Sequence, residues 1–143
     1  MPDSRHRILI ADDQTDIREA LAMVLRSAGF ATAGAASPAE TRFLLESGGF
    51  DALLLDLNFG ADTTSGEEGM ALLAAVKAQN PGLPVVVLTG WGSVDLAIRA
   101  MRAGAADFLE KPWENTRLLT VLRSALALAQ ARAVTSSLTS PPQ

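Results

Sequence analysis

Two runs of consecutive aliphatic residues, Ala52-Leu53-Leu54-Leu55 and Val85-Val86-Val87-Leu88, constrain this chain more than any other feature. Neither shows the polar alternation of a strand with one wet face, which suits strands covered on both faces. The first run ends in a carboxylate, Asp56, and the second in Thr89-Gly90. A charge inside a covered strand is costly, so a carboxylate at its end is expected to point into a crevice. In open α/β sheets, ligands bind in the crevice beyond the carboxyl ends of the strands.

Three further strands are expected around these two. Arg7 to Ala11 is a short apolar run that leads into Asp12-Asp13, Phe30 to Ala36 is a weaker Ala-rich run, and Ala106 to Leu109 leads into Glu110-Lys111-Pro112. Helices are expected between them. Ile17, Ala20, Leu21, Val24, Leu25 and Ala28 recur at helical spacing over residues 15–28, and Gly29 supplies the stop. Ser37-Pro38, with Glu40 three residues after the serine, predicts a capped helix to about Ser47. A helix over 67–79 buries Leu72, Leu73 and Val76, and one over 94–103 presents Val94, Ala97, Ile98 and Met101 on one face. A last helix spans 115–133. Residues 1–6 read as a flexible N-terminus, and the Ser/Thr/Pro-rich residues 134–143 as a tail or interdomain linker.

Five strands alternating with five helices argue an α/β fold: one doubly wound parallel sheet with helices on both faces. Right-handed crossovers leave few topologies. The flavodoxin-like order 2-1-3-4-5 puts its switch point between the first and third strands, which end at Asp12-Asp13 and at Asp56. Three carboxylates then converge beside one crevice. Left alone they repel one another, and a hard divalent cation relieves that repulsion. Magnesium suits the place, because it takes a few carboxylates together with waters and phosphate oxygens. Lys111 and Thr89 end the fifth and fourth strands and reach the same pocket. A cation, an ammonium and a hydroxyl together neutralise a transferring phosphoryl group. Asp56 is then free to act as nucleophile and become an aspartyl phosphate.

Asp12-Asp13, Asp56, Thr89, Phe108 and Lys111-Pro112, each at a strand end and in this order, resemble the receiver domain of two-component response regulators. The resemblance covers residues 7–132. The segments Leu88-Thr-Gly-Trp-Gly-Ser-Val-Asp-Leu-Ala97 and Gly104-Ala-Ala-Asp-Phe-Leu-Glu-Lys-Pro112 are most similar to receivers of the NtrC type, which precede an AAA+ ATPase and a DNA-binding domain in sigma-54-dependent regulators. It implies that Asp56 takes phosphate from a sensor histidine kinase. It also implies that Asp13, Asp56 and the backbone carbonyl of Asn58 bind magnesium, with Asp12 assisting through water. Lys111 would contact the phosphoryl group, and Thr89 and Phe108 would form the switch pair. The loop after Asp56 departs from the family pattern in being longer and lacking its proline.

Other readings use the same residues differently. Asp12-Asp13 also suits a solvated helix start, Lys111 a surface ion pair, Phe108 plain core, Trp91 an exposed loop aromatic and Asn58 ordinary turn chemistry. An aspartyl-nucleophile phosphatase would want a second acid where Asn58 stands. A flavin carrier on this fold would want a phosphate-cradling loop where Asp12-Asp13 would repel the phosphate. A degenerate receiver, signalling by assembly alone, would not need the intact acidic set. Composition narrows the rest. With no cysteine, thiolate metal sites and Cys nucleophiles are excluded. A net charge of -4 without a basic stripe argues against nucleic-acid contact by this segment. No apolar run reaches the roughly 18 residues of a membrane span, and residues 1–7 lack a signal-peptide core. A cytoplasmic location is expected. His6, the sole histidine, reads as a solvated bystander. The apolar arc of the last helix, with Val121 and Leu128 beside the core stripe Leu118, Leu122, Ala125, Leu126 and Ala129, is wider than one core needs. It predicts self-association on the face of the fourth helix, fifth strand and fifth helix, read as a homodimer responsive to phosphorylation.

Overall fold

The computed structural model describes residues 5–58, 66–90 and 93–139, with side chains described as far as residue 134. Its strands are β1 (Arg7–Ala11), β2 (Ala31–Ala35), β3 (Ala52–Asp56), β4 (Val85–Thr89) and β5 (Asp107–Glu110). Its helices are α1 (Thr15–Ser27), α2 (Pro38–Ser47), α3 (Glu67–Gln79), α4 (Val94–Arg102) and α5 (Asn115–Thr139). The sheet is parallel throughout, in the order β2-β1-β3-β4-β5. This is the doubly wound arrangement that strand–helix alternation predicts.

The register explains why β3 and β4 carry no polar alternation. Side chains of successive strand residues point to opposite faces. Ala52, Leu54, Val86 and Leu88 join Ile8 and Ile10 in one core cluster, covered by Leu21 and Leu25 of α1 and by Leu118, Leu122 and Leu126 of α5. Leu53, Leu55, Val85 and Val87 join Leu9 in a second cluster, covered by Leu72, Leu73 and Val76 of α3 and by Leu96 and Ala100 of α4. Each leucine so enclosed contributes about 1.5–3 kcal/mol relative to exposure, and every residue of β3 and β4 is buried.

Local signals set the ends of the elements. The Ser37 hydroxyl accepts from the Glu40 amide at 3.1 Å, and the Glu40 carboxylate accepts from the Ala36 amide at 2.8 Å. The return bond of the predicted capping box thus reaches one residue upstream of the cap. At the C-terminal end of α3, the Lys77 ammonium donates to the carbonyls of Pro81 and Leu83 at 2.9 and 2.8 Å, tying down the turn that leads into β4.

Four sequence expectations need correction. On α4 the stripe Val94, Ile98 and Met101 is exposed, and the buried face is Leu96, Ala97 and Ala100. Ala97 belongs to both patterns, and the sheet selects the narrower side because small residues let a short helix lie close. On α5, Val121 is 5% exposed and belongs to the core, whereas Leu128 is 49% exposed. The arc that faces the core is therefore wider than a minimal stripe, and the surplus is smaller than expected. The helix itself continues six residues past Ala133, to Thr139. Serine and threonine lower helix propensity without breaking a helix, and the first proline after Pro112 is Pro141. Finally, His6 is half-buried, with Nδ1 3.6 Å from the Asp51 carboxylate and its ring 6.3 Å from that of Phe30.

These positions make a direct test. Val121→Asp should cost about 3 kcal/mol or more, because it buries an unpaired charge. Leu128→Asp should change stability by no more than about 0.5 kcal/mol. Urea unfolding of the two variants distinguishes this packing from one in which both residues line the outside.

Candidate functional site

The ends of β1 and β3 lie side by side, with Ala11 opposite Leu55. Asp12 and Asp56 follow in register, so their carboxylates emerge at one place. Asp12 is fully buried, Asp56 is 2% exposed, and Asp13 is exposed at the mouth. One carboxylate oxygen from each of the three lies within 4.8 Å of the others. Lys111, just past β5, sends its ammonium to Asp56 Oδ2 at 3.1 Å and to Asp12 Oδ2 at 3.6 Å. Its own amide donates to the Thr89 carbonyl at 2.8 Å, which fixes the lysine to the end of β4. The Lys111–Pro112 peptide bond is cis.

Backbone donors hold the two buried carboxylates. The Gln14 amide donates to Asp12 Oδ1 at 2.9 Å, and the Asn58 amide donates to Asp56 Oδ1 at 3.0 Å. Each carboxylate thus has one oxygen pinned by the loop that follows it and the other turned toward its partners. Asp12 Oδ2 is buried with no hydrogen bond. Burial raises the Asp12 pKa from the ordinary 3.8 to about 6; the Gln14 amide opposes the rise, the Asp56 charge adds to it, Lys111 opposes it and Asp13 adds slightly. Three oxygen donors with excess negative charge, one of them without a hydrogen bond, are the donor set a hard divalent cation takes. The residues present therefore fit magnesium.

The residues expected to act as a pair also share a face. Thr89 is fully buried, and its hydroxyl oxygen has no hydrogen-bond partner. Phe108 is half-buried and packs on the cluster beneath α3 and α4. Thr89 follows Val85 and Val87 at a spacing of two, so it faces that side as well. Asp12, Asp13, Asp56, Lys111 and Thr89 are thus gathered at one end of the sheet. Trp91 and residues 59–65 of the loop after Asp56 lie outside the described residues.

Two contributors went unread in the sequence. Arg18, on α1, donates to the Asp12 carbonyl at 2.6 Å and so braces the acidic loop; nothing in the helix pattern marks it. Gly69, in the first turn of α3, lies against the backbone of Leu57. A glycine inside a helical pattern is a departure from propensity, and that departure was a legible signal.

Comparison with known proteins agrees with this fold. The sequence pattern of the response regulator receiver domain matches residues 8–123. The response regulator protein PilR of Pseudomonas aeruginosa is 37% identical over 130 residues, which are 91% of this chain and 28% of PilR. The transcriptional regulatory protein FixJ of Bradyrhizobium diazoefficiens is 37% identical over 134 residues, 91% of this chain and 61% of FixJ. The chain therefore spans less than two thirds of the length of either curated relative. Among solved structures, the receiver domain of NtrX from Brucella abortus superposes with a TM-score of 0.78 at 35% identity, covering 84% of this chain and 98% of that one.

The raised pKa of Asp12 makes a stability prediction for chelator-treated protein. A carboxyl that binds its proton more tightly folded than unfolded favours folding below its unfolded pKa, and that help is lost as pH rises through the folded value. At pH 8 the wild type must bury an ionised Asp12. Asp12→Asn should then be more stable than wild type by about 2 kcal/mol. The difference should shrink as pH falls through 6 towards 4. Urea unfolding at each pH measures it, and a gain that does not change with pH would contradict the assignment.

Proposed function

The chain belongs to the response regulator receiver family, the receiving module of two-component signalling, and on that premise we propose that Asp56 is its phosphoacceptor, served by a magnesium ion and a partner histidine kinase. The observation that carries this is the buried Asp56 carboxylate at the end of β3, with Lys111 at 3.1 Å and Asp12 and Asp13 beside it. Asp13, Asp56 and the Asn58 carbonyl would hold the metal, and Asp12 would support it through water. When bound, the ion offsets the negative charge of the carboxylates and of the phosphoryl oxygens.

The chain's own groups carry the rest. An Asp56 oxygen attacks phosphorus in line with the P–N bond of a phosphohistidine on the kinase. The P–O bond forms as the P–N bond breaks, and the imidazole leaves with the bonding pair and takes up a proton. Lys111 meets the charge on the phosphoryl oxygens, and the Asn58 amide keeps Asp56 oriented. The Thr89 hydroxyl, unpartnered in the unmodified protein, would find its acceptor in a phosphoryl oxygen. Phe108 would then move inward on the same face. These two residues lead from the site to α4 and β5, where a second copy of the chain would dock. The exposed stripe Val94, Ile98 and Met101, with Leu128 on α5, supports that surface. A few kcal/mol of differential affinity is enough to move a two-state population. Its output is the control of transcription, as in FixJ, a transcriptional regulatory protein. Nucleic acid and membrane play no part in the contacts of this segment, which acts in the cytoplasm.

Asp56→Asn should abolish magnesium-dependent labelling by a small phosphodonor, read as the loss of one phosphate in intact mass. Full labelling of that variant would sink the assignment. For the output surface, sedimentation with a stable phosphoryl mimic should show tighter self-association than without it. Ile98→Asp combined with Leu128→Asp should remove that difference; if sedimentation is the same with and without the mimic, this face is not the output.

A further inference from the structure

Gly66 and Gly69 bracket the first turn of α3, and each lies against a different neighbour. A Cβ placed on Gly69 would lie 2.2 Å from the carbonyl oxygen of Leu57, 2.5 Å from its Cα and 2.7 Å from its carbonyl carbon. Such distances are far inside van der Waals contact, and the atoms concerned are backbone, so no side chain can swing away. Leu57 sits between Asp56 and Asn58. It is fully buried, and its amide donates to the Leu88 carbonyl at 3.0 Å, which continues the pairing of β3 with β4 one residue beyond the strand. The bare Cα of Gly69 is thus what allows a helix to seat directly on the peptide that follows the phosphoacceptor.

The other side of that turn is also closed. Gly66 has a φ of +71°, and a Cβ there would lie 2.7 Å from Cδ2 of Leu96 on α4. Glu67 pairs with Arg99 of α4 at 3.4 Å. Further along, Leu72, Leu73 and Val76 hold α3 on the sheet. The helix cannot back away from Leu57 without pressing on α4 or exposing these three side chains. Extra volume at residue 69 must therefore displace Leu57 and the Asn58 amide, which holds Asp56 Oδ1 at 3.0 Å.

We infer that Gly69 is a positioning residue for the Asp56 site, setting through the Leu57 backbone the orientation of the Asp56 carboxylate and of the Asn58 carbonyl. The inference rests on the proposed phosphoacceptor role of Asp56. It adds a residue that touches neither phosphoryl group nor metal and acts through the chain between them. A displacement of a fraction of an ångström is enough, because a reacting group misplaced by about 1 Å can lose a hundredfold in rate.

The test compares wild type, Gly69→Ala and, as a control, Gly82→Ala, whose Cβ would meet nothing within 4 Å. Magnesium affinity is measured by calorimetry, labelling rate with a small phosphodonor at saturating magnesium, and integrity by circular dichroism and urea unfolding. Gly69→Ala should remain folded yet bind magnesium about tenfold more weakly and label about tenfold more slowly or worse, with Gly82→Ala unchanged. Gly69→Ala/Leu96→Ala, which opens room for α3 to retreat, should recover part of both losses, although it is less stable than either single variant. A role in packing alone predicts the reverse: lower stability, with affinity and rate kept in the folded fraction and no recovery in the double variant. A folded Gly69→Ala within twofold of wild type in both readouts would overturn the inference. So would failure of both the single and the double variant to fold at 10 °C, since the contact would then be one of packing. A wild type that neither binds magnesium nor takes label would instead overturn the reading of Asp56 on which this one rests.

Discussion

The double burial of β3 is the constraint on which the rest of this structure depends. A strand with helices on both faces has no solvent-facing side to hold a polar group. The one carboxylate it carries must stand at its end, beyond the last covered leucine. Asp56 does so, and its neighbour in register is Asp12, just past the end of β1, which is buried from Ile8 onward. Hydrophobic enclosure thus fixes where the charges go. It also makes them costly, and the cost is visible in the raised pKa of Asp12. The Lys111 ammonium and two backbone amides offset part of that cost, and a divalent cation would offset more.

The site is therefore held in tension. Two buried carboxylates and an exposed third are balanced by one ammonium, and two polar atoms, Asp12 Oδ2 and the Thr89 hydroxyl, are buried without a hydrogen bond. Buried polar atoms without a hydrogen bond are rare in folded proteins and raise the energy of the unliganded state; the Lys111 ammonium, 3.6 Å away, offsets part of this for Asp12 Oδ2. A bound cation and a phosphoryl group would satisfy both. A site under this strain is suited to a switch rather than to turnover, since modification changes which arrangement is favoured.

How the change would travel follows from strand parity. Asp56 lies on the β3 residue that faces α1 and α5, whereas Thr89 and Phe108 lie on strand positions that face α3 and α4. The surface that carries the exposed stripe of α4 is consequently tied to the site through β4 and β5. The first turn of α3 touches the same helix through Gly66 and Glu67 and touches the Asp56 loop through Gly69. Both routes end on α4, the shortest of the helices, which exposes Val94, Ile98 and Met101 on its outer face.

Much of this was legible in the sequence. The uninterrupted aliphatic runs at Ala52–Leu55 and Val85–Leu88 identified covered strands because no polar residue interrupts them, and their terminal residues marked the crevice. The placement of Asp12, Asp13, Asp56, Thr89 and Lys111 at one end of the sheet was legible for the same reason: each ends a strand or lies within two residues of its end, so its place in the fold depends only on local pattern and strand order. What needed the tertiary structure was any choice between two faces of one helix. Ala97 fits both apolar patterns on α4, and only the packing of Leu96 and Ala100 on the sheet decides that Val94, Ile98 and Met101 face outward. Val121 lies at the margin of the α5 stripe, and the breadth of the groove it meets, not its own spacing, puts it in the core. Gly69 is the extreme case: its meaning is a distance to the backbone of Leu57, twelve residues earlier in the chain, and a one-dimensional pattern carries no distances.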